Sequence, residues 1–172
     1  MLVTKTAISE QSDPPPDPPL DDPSLDRLLR LAGARLGYSI SVAGPASLEV
    51  MVALCRAGYA RVECARQATC AGADETSDLL ILTGPADSLG GLAARTLPLL
   101  RNGGVVAACL EQMDDDPPIR GALLVRGMEV ITSTLDPGAP NPGDPNPGVL
   151  GAAGGLIVAH RVRRQGRLAL VS

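Results

Sequence analysis

The stretch that most constrains this chain is Asp78 to Leu110, DLLILTGPADSLGGLAARTLPLLRNGGVVAACL. Leu79 to Leu82 is an unbroken apolar run, the pattern of a strand buried on both faces of a parallel sheet. Thr83-Gly84-Pro85 stops it. From Ser88 the apolar residues Leu89, Leu92, Ala93, Leu97 and Leu100 recur at roughly helical spacing, with Asp87 and Ser88 available as N-terminal caps. Pro98 removes a hydrogen bond inside that pattern and predicts a kink or an early end. Arg101-Asn102-Gly103 then supplies a cation and a left-handed stop, and Val105 to Leu110 reads as the next strand. A helix between two fully apolar strands implies a right-handed crossover and a parallel pair.

The flanking chain repeats this rhythm. Leu25, Leu28, Leu29, Ala32 and Leu36 form one helical face behind Ser24 as N-cap, with Gly37 as the stop and Arg27, Arg30 and Arg35 mostly on the solvated side. Ser39 to Ala43 reads as a strand, followed by a helix whose Leu48, Met51, Val52 and Cys55 stand at core spacing before Gly58 closes it. Tyr59 to Ala65 is the next strand. The segment RQATCAGADETS, residues 66–77, reads equally as a short helix, a loop or the remnant of a lost strand and helix. Beyond the central unit, Pro118 starts a helix carrying Ile119, Leu123 and Leu124 that Gly127 ends, and Glu129 to Leu135 is β-branched and strand-like. Gly155 to Val162 and Leu168 to Val171 read as a hairpin closing one edge of the sheet.

Two segments have no element pattern. Residues 1–23, with SDPPPDPPLDDP, are expected to be a disordered tail, which leaves residues 24–172 as one domain. Residues 136–148, DPGAPNPGDPNPG, are expected to be a flexible loop, because successive prolines forbid both helix and ladder.

Composition narrows the partners. A net charge of -4, no Trp, no Phe and only Tyr38 and Tyr59 leave neither a polyanion footprint nor a base-stacking platform, which excludes nucleic acid as the main partner. No apolar stretch reaches the ~20 residues of a membrane span or resembles a signal peptide, so the cytoplasm is the expected compartment. Cys55, Cys64, Cys70 and Cys109 lack any zinc-type spacing and read as reduced thiols, with no metal expected. His160, the one histidine, has no acid or nucleophile at informative spacing and reads as structural. Arg161, Arg163, Arg164 and Arg167 form the one basic cluster, expected to guard an edge hairpin from pairing with another chain. No phosphate-binding loop, HExxH or GxSxG occurs.

Ser39 to Val162 resembles the class I S-adenosylmethionine-dependent methyltransferase family. SDLLILTG is similar to that family's fourth strand and LPLLRNGGVVAAC to its helix, Gly-Gly turn and fifth strand. RGMEVITSTL and GGLIVAHRV are similar to its sixth strand and antiparallel seventh. The resemblance implies an α/β fold: a Rossmann-like, doubly wound, mostly parallel sheet with a C-terminal antiparallel hairpin and helices on both faces. It also implies that any cofactor pocket is lined by Ala43, Gly44, Glu63, Thr83 and Gly84.

The family carries a glycine-rich loop after its first strand, because only bare backbone lets the cofactor lie against the strand end. The matching stretch, Val42-Ala43-Gly44-Pro45-Ala46-Ser47, keeps one glycine; Pro45 removes an N–H and Ala46 adds a Cβ. Glu63 is the candidate for the ribose-binding carboxylate but stands a residue or two early, and its other reading is an edge glutamate paired with Arg61 or Arg66. Thr83-Gly84-Pro85-Ala86 does not reproduce the Asn/Asp-Pro-Pro-aromatic motif of members that methylate nitrogen. The expectation is therefore a degenerate methyltransferase-like domain with no cofactor and no catalytic residue. Such a domain would be a pseudoenzyme acting as a regulatory or protein-interaction module, its partner another protein or a second copy and not a membrane. The alternative is an active S-adenosylmethionine-dependent methyltransferase with an atypical loop; a small nucleotide or metabolite binder using the same strand ends is a third reading.

Overall fold

A computed structural model describes residues 22–65, 76–110, 116–134 and 155–161. In chain order the elements are α1 (Pro23–Leu31), β1 (Ser39–Ala43), α2 (Ser47–Arg56), β2 (Arg61–Cys64), β3 (Ser77–Leu82), α3 (Ala86–Thr96), β4 (Leu100–Leu110), α4 (Asp116–Val125), β5 (Met128–Thr134) and β6 (Gly155–Arg161). They form one six-stranded sheet in the order β2-β1-β3-β4-β6-β5. The pairs from β2 to β4 are parallel, and β6 runs antiparallel to both β4 and β5.

β3 is buried at all six positions, as its unbroken apolar run requires. Leu79 and Ile81 point to one face, where α1 and α2 pack Leu25, Leu28, Val50 and Leu54 against Ile40 and Val42. Leu80 and Leu82 point to the other, where α3 and α4 pack Leu89, Ala93, Ile119 and Leu123 against Val106 and Ala108. The result is the expected Rossmann-like doubly wound sheet with helices on both faces.

Local chemistry moves several boundaries. α1 is capped by Asp22 and not by Ser24: the Asp22 carboxylate accepts from the N–H groups of Ser24 at 2.9 Å and Leu25 at 3.1 Å, and Pro23 takes the first helical position, where no N–H is needed. The helix stops at Leu31, with Gly33 at φ 61°, rather than at Gly37. α1 packs Leu25, Leu28 and Leu29 into the core and leaves Leu31 exposed. α3 begins at Ala86, ahead of Ser88, and neither Asp87 nor Ser88 caps it. It gives way to a 3₁₀ turn over Leu97–Leu99 at Pro98, the early end that proline predicts.

Gly103, at φ 80°, lies inside β4 and not in a turn before it. The register passes from Ser77↔Leu100 to Leu79↔Val105, so the residues between them on β4 form a bulge. β6 lies between β4 and β5, so residues 155–161 belong to the interior of the sheet, not to a closing edge. Within β6, Arg161 is half-buried and donates to the Leu100 carbonyl. Residues 1–21, 66–75, 111–115, 135–154 and 162–172 lie outside the described residues. With them lie the tail, the Pro/Gly loop at 136–148, Cys70, the strand at Leu168 to Val171 and the arginines beyond 161.

The largest departure is in α2. Its core face is Val50 and Leu54, both fully buried, with Ala53 packed beside them, whereas Leu48 is 59% and Val52 39% exposed and Cys55 is exposed. SLEVMVALCR carries two apolar stripes, and the one backed by small Ala53 and Ala57 closes on the sheet.

Two substitutions test these assignments. Ile81→Ala, between Val42 and Ala107 in the sheet centre, lowers stability by about 2–5 kcal/mol in urea unfolding. Asp22→Ala costs about 1 kcal/mol in the same assay, while Ser24→Ala costs less.

Candidate functional site

The strand order sets the site. Chain leaving β1 turns through α2, on one face, towards β2, while chain leaving β3 turns through α3, on the other face, towards β4. The two connections diverge from neighbouring strand ends, which is where open α/β sheets gather their ligands.

Ala43, Gly44, Thr83 and Gly84 meet at this edge. The Ala43 carbonyl accepts from the Thr83 N–H at 2.9 Å and from its hydroxyl at 3.3 Å. Gly44 has φ 120°, and a Cβ there would lie 1.8 Å from the Thr83 carbonyl oxygen, so the absent side chain makes room for the neighbouring strand end itself. Gly84, at φ 133°, is covered by Pro45, whose Cδ would stand 3.1 Å from an added Cβ. The glycine at 44 and the proline after it thus interlock two strand ends.

Both helices that start here lack a side-chain cap: Ala46 is the N-cap of α2 and Pro85 that of α3. Ser47 N–H bonds to the Gly44 carbonyl and Ser88 N–H to that of Pro85. The first-turn N–H groups of Leu48, Glu49, Ala86 and Asp87 have no intrahelical partner and carry the positive ends of two helix dipoles. The carboxylates of Glu49 and Asp87 stand exposed in the same turns.

Glu63 is not brought to this edge. It is level with Ser41 in the β1–β2 register, two residues short of Ala43, or about 7 Å along the strand. The Ser41 hydroxyl donates to Glu63 Oε1 at 2.8 Å and lies 2.6 Å from Ser77 Oγ. A hydroxyl has one proton, so Ser77 donates to Ser41 and Ser41 to Glu63, a polar chain across three strands through two fully buried serines. The sequence signal for that chain was Ser41, the serine inside the strand SISVA, which must find a partner once buried.

Asp78 was also missed. It is buried in β3, accepts from Ser39 N–H at 2.8 Å through Oδ2, and pairs through Oδ1 with Arg101. His160 is half-buried on the rung of Val105, Leu79 and Ile40, three residues below the edge or about 10 Å. Among the described residues, no three His, Cys, Asp or Glu side chains group as metal ligands, and no helix is long and apolar enough to cross a membrane.

Gly44→Ala therefore costs at least about 3 kcal/mol, combining left-handed strain with a backbone clash, whereas Thr83→Val, losing one hydroxyl bond, costs about 1 kcal/mol. Thermal unfolding of the two variants side by side checks the difference.

No protein-family model and no curated protein matches the sequence. Solved structures do match. A *Thermotoga maritima* S-adenosylmethionine-dependent O-methyltransferase aligns over 84% of this chain and 66% of its own, at 15% identity and a TM-score of 0.55. The *Burkholderia thailandensis* 1,6-didemethyltoxoflavin-N1-methyltransferase, with bound S-adenosylhomocysteine, aligns over 83% and 80% at 14% identity and a TM-score of 0.56. A geranyl diphosphate methyltransferase in complex with S-adenosylmethionine aligns over 81% and 84% at 13% identity and a TM-score of 0.56. These structures overturn the expectation of a chain without a cofactor, since the proteins it resembles hold S-adenosylmethionine or S-adenosylhomocysteine. The single glycine of the loop was a poor guide because Gly44 is required by the Thr83 carbonyl beside it, whatever the loop holds. This chain has the class I S-adenosylmethionine-dependent methyltransferase-like fold.

Proposed function

We propose that this chain is an S-adenosylmethionine-binding module of the methyltransferase fold that serves a regulatory or accessory role and does not transfer the methyl group. The observation that carries the binding half is the divergence of α2 and α3 from the β1–β3 edge, with both helix N-termini free of side-chain caps. Main-chain N–H groups at Leu48, Glu49, Ala86 and Asp87 suit a carboxylate. The negative charges of Glu49 and Asp87 suit an ammonium and a sulfonium. The edge therefore fits the amino-acid end of the cofactor, with Ala43, Gly44, Thr83 and Gly84 as its floor. When bound, S-adenosylmethionine supplies a methyl group on sulfur open to nucleophilic attack.

The non-catalytic half rests on what surrounds that floor. Among the described residues no acid or base is buried against it: Glu49 and Asp87 face water, Glu63 is held by Ser41 below the edge, and the Thr83 hydroxyl is bonded to Ala43. No described carboxylate stands at the tip of β2 to take ribose hydroxyls. We place the chain in the cytoplasm, where the thiols of Cys55, Cys64 and Cys109 stay reduced.

Titration calorimetry of the whole chain tests the binding half, with micromolar affinity expected for S-adenosylmethionine or its demethylated product. Silence at millimolar ligand would remove it. Asp87→Lys is expected to weaken binding by about tenfold, and Glu63→Ala to leave it within about twofold. Methyl-labelled cofactor incubated with the protein and cell extract is expected to label nothing above a heat-denatured control; label transfer would remove the non-catalytic half.

A further inference from the structure

We propose that the chain is a homodimer in which two copies pair their β2 strands antiparallel about a two-fold axis at Val62, joining two six-stranded sheets into one. The pairing edge is the side of β2 away from β1, adjoining the cofactor edge at Leu48, and its pairing does not depend on cofactor binding.

β2 ends the sheet among the described residues, with β1 as its one neighbour. In a parallel ladder alternate residues turn both backbone groups to the same side. Ala65 N–H bonds to the Val42 carbonyl, so Arg61, Glu63 and Ala65 face β1, while Ala60, Val62 and Cys64 turn their N–H and C=O groups outwards. A second copy can use only registers that set outward residues opposite outward residues. Four two-fold axes satisfy this within the strand, centred on residue 61, 62, 63 or 64, and the one at 64 sets Glu63 opposite the second copy's Ala65, leaving it without an opposite charge.

Charge selects among them. An axis at residue 61 sets Arg61 against its own copy, and one at 63 sets Glu63 against its own copy, both like-charge contacts. An axis at Val62 sets Arg61 opposite the second copy's Glu63, and Glu63 opposite the second copy's Arg61. These are non-hydrogen-bonded positions, where facing side chains come closest. Val62 then exchanges two main-chain hydrogen bonds with its own copy, and Ala60 pairs with the second copy's Cys64. Arg61 and Glu63 are both exposed, and the Glu63 carboxylate has acceptor capacity beyond its bond from Ser41.

The other face of the same edge is apolar. Val62 packs against the α1–α2 core, and Cys64 Sγ lies 3.6 Å from Met51 Sδ. Next to Met51 on α2 stand the exposed Leu48, Val52 and Cys55, the stripe with core spacing that the sheet leaves uncovered. Pairing β2 about Val62 brings the second copy's α2 alongside this stripe. A charged pattern that fits only itself and an apolar stripe beside it both describe an isologous contact.

Sedimentation equilibrium of the full chain is expected to give a dimer. Arg61→Glu sets glutamate against glutamate across the axis and is expected to raise the dimer dissociation constant by at least about tenfold with the circular dichroism spectrum unchanged. The double variant R61E/E63R restores opposite charges and is expected to recover the dimer. A monomeric wild-type chain, a dimer undisturbed by R61E, or a double variant that stays monomeric would each overturn the proposal, including the case in which this edge serves another protein.

Discussion

The structure depends on how β1 is held to β3, because the two helix layers diverge from this pair. Main-chain hydrogen bonds alone do not specify the register of two short apolar strands; side chains at both ends do so here. At the lower end Asp78 accepts from Ser39 N–H, and at the upper end Thr83 closes on the Ala43 carbonyl with both its N–H and its hydroxyl. A slip of one residue would break both and turn every apolar side chain to the opposite helix layer.

Burying Asp78 is tolerable because its charge is paired. Arg101 reaches it from the β4 bulge, the segment that Gly103 allows by adopting a positive φ. The bulge thus has a structural reason: it carries a cation to a carboxylate that fixes the neighbouring pair. Removing Arg101 would leave the buried Asp78 carboxylate without its counter-charge, whereas the exposed Arg101 would stay hydrated without Asp78.

The layered architecture was legible because it rests on features that sequence carries directly. DLLIL has no polar residue to place outside, and Pro98, Gly58 and Gly127 end helices for reasons confined to their own backbone. What stayed illegible depends on which of two equivalent choices tertiary packing takes. Ser24 and Asp22 are both acceptable caps, and Pro23 decides for Asp22. Both stripes of α2 have helical spacing, and contact with Ile40 and Val42 decides for Val50 and Leu54. At the candidate site, Ala43, Gly44, Thr83 and Gly84 were readable as strand ends, whereas the fixing of Glu63 by Ser41 needed the register between strands.

The glycine at 44 shows why a motif read by absence misleads. In sequence it stands as the one survivor of a glycine-rich loop, which suggests a pocket that has been lost. In the fold its missing Cβ admits the carbonyl of Thr83, so this glycine is required whether or not a ligand is present. Residue 44 therefore carries no information about the cofactor in either direction. The features that bear on the proposed ligand lie one step further on, where α2 and α3 start without side-chain caps at the edge between diverging connections.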